Sequence, residues 1–517
     1  MNRRHPLPYL IIVFIYCNFF VSYASTRNIP AGLDSLVLSA KNNLYNFRIH
    51  RVDLTINKMI KEYPSFPQGY LNGALLTLIR YSQDMTNDSL ALALNRQADR
   101  AADIATAFSK KHPKDAGARL NYGLAQGLKG VYAVIRRSYF KGYWYGKKAK
   151  GAMEDAVKMD STCYDAYLGL GIFHYYASLL PGFTRFLAGI LGFPGNKELG
   201  KKEILKTAEK GRYLRAEARF SYYTIRYFLE GAINESIHGL KKMAEKYPTN
   251  YAITLFLGYH YRHRGNIPEA MTYFRSVPDS FMQILPQVTQ LKYYNLGVCH
   301  FYLNEFNTAE HFFNILKGDH YQESRYYQAG INYYKGLLED LAGNRKVALY
   351  YYNQIHKYKD TKYWYYAVRL FREYPMDSLM RSYVLARNQM FRRKFRSSMA
   401  AAKSIFRAIA AGRKYTNKLL PVLAADLLGS SNYALGNFRE SRLAYERELR
   451  MAQKMDDKFI RSWYLIHYAR VLREMGQLKL AGEWLSRADK VDDDYTKIII
   501  TRDRYLLKMR EKQTKQG

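Results

Sequence analysis

The sequence predicts an all-α fold, an α-solenoid of antiparallel helix hairpins. Three observations predict it. A unit recurs between Ser221 and Ile355, its clearest copy being TLFLGYHYRHRGNIPEAMTYFRSV from Thr254 to Val277. The recurrence has a fixed step: Gly231 and Gly265 lie 34 residues apart, while Gly258, Gly297 and Gly336 are spaced by 39. Two further sets, Ala270, Ala309 and Ala348 and then Phe274, Phe313 and Tyr352, keep that 39-residue step. A fixed period of this size marks a repeat architecture rather than a single globular core.

Each residue type has a physical role. Small residues (Gly258, Ala270) belong where two helices touch, because a larger side chain would push the backbones apart. The aromatics are expected to fill space between neighbouring units. Gly265 and Gly343 are expected to end first helices in a left-handed conformation, and Asn304 takes that place in the third unit. The extra residues of the 39-residue units are expected in the links near Pro278 and 317–320. The pattern resembles the tetratricopeptide-repeat (TPR) family, which implies stacked hairpins forming a superhelix with a concave binding face.

The chain has 517 residues, and a solenoid of that length need not divide into many domains, since each repeat contacts mainly its neighbours. Its 80 basic and 44 acidic residues give a net charge of +36. Such a charge favours anionic partners by long-range attraction: acidic proteins, anionic lipid or polymer surfaces, or nucleic acid. The plainer reading is solubility. The 49 tyrosines suit repeat aromatics better than catalysis. Cys17, Cys163 and Cys299 are too few and too scattered for a disulfide framework or a cysteine metal site, and the last two are read as buried structural thiols.

In chain order, residues 1–24 read as a secretory signal peptide. Arg3 and Arg4 precede an apolar run from Tyr9 to Val21, and Ser22-Tyr23-Ala24 offers a cleavage site. That run is short for a membrane span, and Tyr16 before Cys17 argues against lipidation. A periplasmic or cell-envelope location follows as an expectation. Residues 25–375 form a first solenoid and 376–517 a second, with a break around Lys359-Asp360 and Pro375. Helices are predicted over Leu33–Tyr63 (two), Gly69–Tyr81, Ser89–Lys111, Ala116–Phe140, Trp144–Met159 and Tyr164–Ser178. Residues 179–196, LLPGFTRFLAGILGFPGN, are an apolar insertion carrying Phe183, Phe186 and Phe193, read either as a docking loop or as core. Leu179-Leu180-Pro181, Leu191-Gly192-Phe193, Gly195 and Glu198-Leu199-Gly200 are similar to a segment of the inclusion-body-clearance family of TPR proteins. That resemblance spans Asp165 to Leu240, departs at Gly182 and Pro194, and implies a repeat fold with a non-enzymatic role. Beyond Pro375 a helix pair is predicted over Asp377–Gly412. The repeat then returns, Gly436 to Gly476 stepping by 40, and a last helix, Asp494–Met509, caps the array.

Two basic stretches are the candidate partner-binding residues. Ser378–Ala425 holds no acid, and Arg392, Arg393, Lys394 and Arg396 lie beside Phe391, Phe395, Met399, Ala402 and Phe406 at helical spacing. That reads as a basic amphipathic helix for an anionic surface or acidic partner, or more plainly as a repeat helix with a solvated face. Arg136, Arg137 and Lys141 are interleaved with Tyr139, Tyr143 and Trp144, aromatics read mainly as repeat core. His260 and His263 share a helix but lack a third ligand, so no metal is expected. No dinucleotide or phosphate loop and no nucleophile–base signature is present, so neither cofactor nor catalysis is expected. The sequence therefore predicts an exported scaffold binding a protein or peptide on its concave face. An alternative is a peripheral envelope protein held on an anionic surface by the basic helix and the apolar loop. No nucleic-acid partner is expected.

Overall fold

The computed structural model describes residues 29–83, 87–136, 138–179, 192, 194–283, 286–316, 325–488 and 491–516. These form 24 α-helices, one short 3-10 turn (Asp279–Gln283) and no strand. The predicted signal peptide, Arg137, and Phe183, Phe186 and Phe193 of the insertion lie outside the described residues. No described helix is long and apolar enough to cross a membrane.

Two compact units are formed. The first runs to Ile225 and takes in Asn234–Asn250; the second holds Arg226–Ile233 and the chain from Tyr251 onward.

In the first unit, α1 (Ala31–Tyr45) pairs with α2 (Ile49–Glu62), α3 (Gln68–Gln83) with α4 (Asp88–Lys111), and α5 (Ala116–Ile135) with α6 (Tyr139–Met159). Next, α7 (Ala166–Ser178) pairs with α8 (Lys197–Lys210) across the insertion, followed by α9 (Arg215–Phe228) and α10 (Ile233–Lys246). A single core runs from Leu33 to Tyr213. The helix expected over Ala116–Phe140 is broken: α5 ends at Ile135 and α6 begins at Tyr139.

This unit closes on itself. Lys41 of α1 forms a buried ion pair with Glu217 of α9 at 2.7 Å. The Tyr45 ring meets Tyr247 at 4.8 Å, and the Asn250 amide donates to the Tyr45 carbonyl at 2.9 Å. Asp165, buried at the start of α7, accepts from the backbone N–H groups of Arg212, Tyr213 and Leu214, which fixes the turn into α9.

In the second unit the hairpins are α11 (Tyr251–His263) with α12 (Ile267–Arg275), α13 (Pro286–Leu303) with α14 (Phe306–Ile315), and α15 (Arg325–Ala342) with α16 (Arg345–Asn353). A single helix, α17 (Lys362–Glu373), follows. Then α18 (Ser378–Phe391) pairs with α19 (Phe395–Ala410), α20 (Leu420–Ala434) with α21 (Phe438–Lys454), and α22 (Lys458–Glu474) with α23 (Leu478–Ala488), before a final α24 (Asp494–Gln516). Lys359-Asp360 and Pro375 lie inside this unit, and one core continues from Tyr294 to Leu507.

The repeat has a packing rule. A Cβ added to Gly258 would meet the Phe274 ring at 2.5 Å, and one added to Gly297 the Phe313 ring at 2.6 Å. The same relation joins Gly336 to Tyr352 at 2.1 Å and Gly429 to Tyr445 at 2.4 Å. Phe274, Phe313, Tyr352 and Tyr445 are fully buried. Each glycine thus makes room for the aromatic sixteen residues later, on the facing helix of its own hairpin. The same aromatics also reach the next unit, as expected: Phe313 stacks on Tyr334 at 5.5 Å and Tyr445 meets Tyr464 at 5.1 Å. The rule also runs in reverse in the first unit, where Tyr223 faces Gly239. In α22–α23 the corresponding residues are Ala469 and Leu485, both buried: a smaller partner permits a larger residue opposite.

The turns follow one pattern as well. Gly265 has φ +80 and Asn304 φ +63, as expected for left-handed helix ends. Around each, two backbone N–H groups return to the preceding helix: Gly265 to Arg262 and Asn266 to Tyr261, Asn304 to Phe301 and Glu305 to His300. These are Schellman closures, which satisfy carbonyls that the helix leaves unpaired. Gly343, Gly436 and Gly476 repeat them.

The last helix does more than cap. Asp503 of α24 accepts from Arg470 at 2.8 and 3.0 Å and lies 3.4 Å from Arg473, both of α22. Tyr495 packs against Tyr363 of α17 at 5.1 Å, and Leu506 lies against the turn at Gly231, the first residues of this unit. The second unit is closed too.

Candidate functional site

The basic residues of Ser378–Ala425 do not lie on one helix. The chain turns at Arg392-Arg393-Lys394 between α18 and α19, with Arg393 at φ +60. Arg393 N–H donates to the Met390 carbonyl and Lys394 N–H to that of Gln389, the same Schellman closure found at the glycine turns. The predicted amphipathic helix is therefore a turn followed by α19, and Arg396 sits in the first turn of α19. A left-handed arginine costs about 1–2 kcal/mol relative to glycine, because its Cβ crowds the following carbonyl. Arg393, Lys394 and Arg396 are exposed and Arg392 is half-exposed; none pairs with a carboxylate among the described residues.

Behind this turn lies a pocket of about 250 Å³. Two turns distant in sequence meet there. A Cβ at Gly265 would meet the Phe391 carbonyl at 2.6 Å and the Arg393 Cγ at 2.7 Å. Glycine at 265 therefore lets the Arg393 stem lie flat on the α11–α12 turn. The floor is Met390, Phe391 and Phe395, and the far wall is Ser430, Tyr433, Tyr445, His467 and Arg470. No carboxylate lines it. The nearest acids are committed: Asp426 to His467 at 2.7 Å, Asp503 to Arg470. Arg264 and Arg393 make no ion pair among the described residues; Arg393 lies 5.9 Å from the Phe395 ring centre.

Deeper in this unit, cations are set among tyrosines. The Nε atoms of Arg262 and Arg387 are buried without a hydrogen-bond partner, although Arg387 donates another N–H to Tyr333 at 3.2 Å. Tyr302 and Tyr334 meet hydroxyl to hydroxyl at 3.2 Å, and Tyr302 stacks on Phe391 at 4.7 Å. Burial pushes the hydroxyls of Tyr294, Tyr327 and Tyr334 up, that of Tyr327 to about 12. They remain neutral hydrogen-bonding groups. Sequence reasoning missed this lining, because tyrosine at core spacing carries no mark of which side it faces.

The second basic stretch lies in the first unit. Arg136 reaches Asp88 at 3.4 Å, and Lys141 is exposed at the start of α6. Of the aromatics beside them, Tyr143 and Tyr145 are half-buried, whereas Tyr139 is 60% exposed, Phe140 74% and Trp144 47%. These last three stand on the outer side of α6, whose buried face is Gly142, Ala149, Ala152 and Ala156. Lys147 lies 5.9 Å from the Trp144 ring centre.

His260 and His174 are structural. His260 is fully buried, stacked on Tyr227 at 3.5 Å, and burial pushes its imidazole down to about 3, so it is neutral. His174 bonds Glu203 at 2.7 Å. Among the described residues no three His, Cys, Asp or Glu side chains group as metal ligands. Cys299 is buried, as expected, but Cys163 is only half-buried; neither is in a disulfide. Burial pushes both thiols up to about 12.

Residues 148–395 match the family model described as Iml2/Tetratricopeptide repeat protein 39. The match extends well beyond the Asp165–Leu240 segment and takes in the α18–α19 turn. Among solved structures, a tetratricopeptide repeat protein from Parabacteroides merdae is 14% identical, covering 56% of this chain and 98% of that one, at a TM-score of 0.24. Yeast Tom70 is 12% identical, covering 86% and 89%, at a TM-score of 0.31. A human IFIT1 dimer with PPP-AAAA is 14% identical, covering 84% and 96%, at a TM-score of 0.33. Scores this low give these superpositions no weight at the site. The weight lies with the hairpins, their turns and the matched segment: the chain is of the tetratricopeptide-repeat type, with residues 148–395 resembling the Iml2/Tetratricopeptide repeat protein 39 family.

Proposed function

We propose that the protein is a non-enzymatic scaffold that holds an acidic protein or peptide partner against the α18–α19 corner of its second unit. One observation carries this reading. Arg392, Arg393, Lys394 and Arg396 stand together at the surface with no carboxylate partner among the described residues. A cluster left unpaired by its own fold attracts negative charge, and arginine forks bind carboxylates bidentately. The test is binding of a fluorescent oligoglutamate peptide to the mature chain over a salt series. Replacing the four residues with alanine is expected to weaken binding at least tenfold and to flatten its salt dependence. Unchanged affinity and slope would reduce the cluster to a solvated face.

A second reading rests on the exposed Tyr139, Phe140 and Trp144 beside Lys141, Lys147 and Lys148. Aromatic and basic side chains on one helix face suit an anionic lipid surface. Co-sedimentation with phosphatidylglycerol vesicles, lost on Phe140→Ala/Trp144→Ala, would favour it over the peptide scaffold. Export belongs to the proposal as well and rests on residues 1–24 alone. N-terminal sequencing of secreted protein starting at Ser25 would support it.

A further inference from the structure

We infer that the pocket enclosed by the α11–α12 and α18–α19 turns binds a small phosphate monoester. The pocket is distinct from the scaffold surface in what it can hold. Its volume of about 250 Å³ falls just below the roughly 300–1,000 Å³ typical of drug-sized ligands, so it suits a compact molecule and not a polymer. Its two uncommitted cations, Arg264 and Arg393, call for a dianion. A monocarboxylate would satisfy one guanidinium and leave the other unpaired, whereas a phosphate has oxygens for both. Arg470 and His467 carry their own carboxylate partners and complete the wall without adding uncompensated charge. Phe391 and Phe395 give a flat apolar surface for the body that carries the phosphate.

The backbone supplies an independent argument. Other hairpins of this unit close with Gly265, Gly343, Gly436, Gly476 or Asn304 at the left-handed position; this one alone uses an arginine. Unfavourable backbone conformations of this kind persist where the side chain has a task. The Arg393 guanidinium lies 5.9 Å from the Phe395 ring centre, and both residues line the pocket.

The experiment is calorimetric titration of the full chain with phenyl phosphate, with benzoate and inorganic phosphate as parallel probes. Phenyl phosphate is expected to bind at least tenfold more tightly than either. Arg393→Gly is expected to weaken it at least tenfold while leaving the melting temperature unchanged or higher, because glycine adopts φ +60 freely. Arg264→Ala is expected to weaken it comparably. A peptide carrying phosphotyrosine is expected to bind no more tightly than phenyl phosphate. The inference is overturned if phenyl phosphate does not bind at millimolar concentration, if benzoate matches it, if both variants bind normally, or if the phosphopeptide binds more tightly. Because the oligoglutamate assay is separate, failure here leaves the scaffold reading standing, and failure there leaves this pocket standing.

Discussion

Replacing Gly336 with alanine tests the packing rule of the repeat directly. In an ordinary helix interior this change stabilises by roughly 0.5–1 kcal/mol, because glycine loses more backbone freedom on folding. At Gly151 of α6, where an added Cβ meets nothing within 4 Å, that gain should appear. At Gly336 the new methyl would stand 2.1 Å from Cε1 and 2.4 Å from Cδ1 of Tyr352. Tyr352 has no room to retreat. It is fully buried, and its hydroxyl donates to Asp340 at 2.9 Å. Overpacking costs about 1–3 kcal/mol, and losing the buried hydrogen bond costs about 1–3 kcal/mol more. The net expectation is a loss of about 1–5 kcal/mol, read as a lower urea midpoint with an unchanged slope. The α22–α23 hairpin already supplies the remedy, since Ala469 faces Leu485 there. Adding Tyr352→Leu to Gly336→Ala should therefore recover part of the loss, with a coupling of at least about 1 kcal/mol in the double-mutant cycle. If Gly336→Ala behaves like Gly151→Ala, or if the two changes simply add, the glycine–aromatic pairing is not what sets the helix separation.

Two further predictions concern buried charge. Burial pushes the Asp165 carboxyl up to about 6, against backbone N–H groups that pull the other way. A group with a raised folded pKa holds its proton longer in the folded state, so its contribution to stability falls as pH rises from about 4 to about 6, by on the order of 2–3 kcal/mol. Asp165→Asn should remove that slope relative to the parent chain in urea titrations across the window; an identical pH profile would refute the assignment. Asp503→Asn leaves Arg470 and Arg473 without their carboxylate, a loss of about 3–5 kcal/mol for one partner of a buried pair. Hydrogen exchange should then accelerate in α24 while α11–α16 stay protected, and full protection of α24 would show that its apolar side alone holds it.

The sequence made the repeat legible because its period is written in residue types with few alternatives. Gly265, Gly343 and Asn304 announce left-handed turns, and all three adopt them. Where a turn lacks such a residue, the reading fails. Residues 136–138 and 392–394 contain no glycine or proline, so helical periodicity reads straight through both. The tyrosine-lined interior was hidden for a different reason. Tyr259 and Tyr294 look alike in sequence whether they face a neighbouring helix, a cavity or solvent. Tyr139, Phe140 and Trp144 show the converse, aromatics at core-like spacing that stand in water. The contacts that close each unit were the least legible. Lys41 and Glu217 are 176 residues apart, and nothing local distinguishes them from surface charges.

Closure has a consequence for how such a chain can change. An open solenoid gains or loses a repeat with little disturbance, because each unit touches only its neighbours. The second unit has no such freedom. The Asn388 side chain donates to Asn304 at 2.8 Å and to the Phe301 carbonyl at 3.0 Å only because one hairpin and the single helix α17 stand between, and Arg393 lies on Gly265 across two hairpins and α17. Inserting or deleting one hairpin there would advance the later helices by a whole step and part every one of those contacts. The number of repeats is thus itself a dimension of the pocket. A length variant at residues 316–325 would abolish it as surely as a substitution at Arg393, without touching a single residue that lines it.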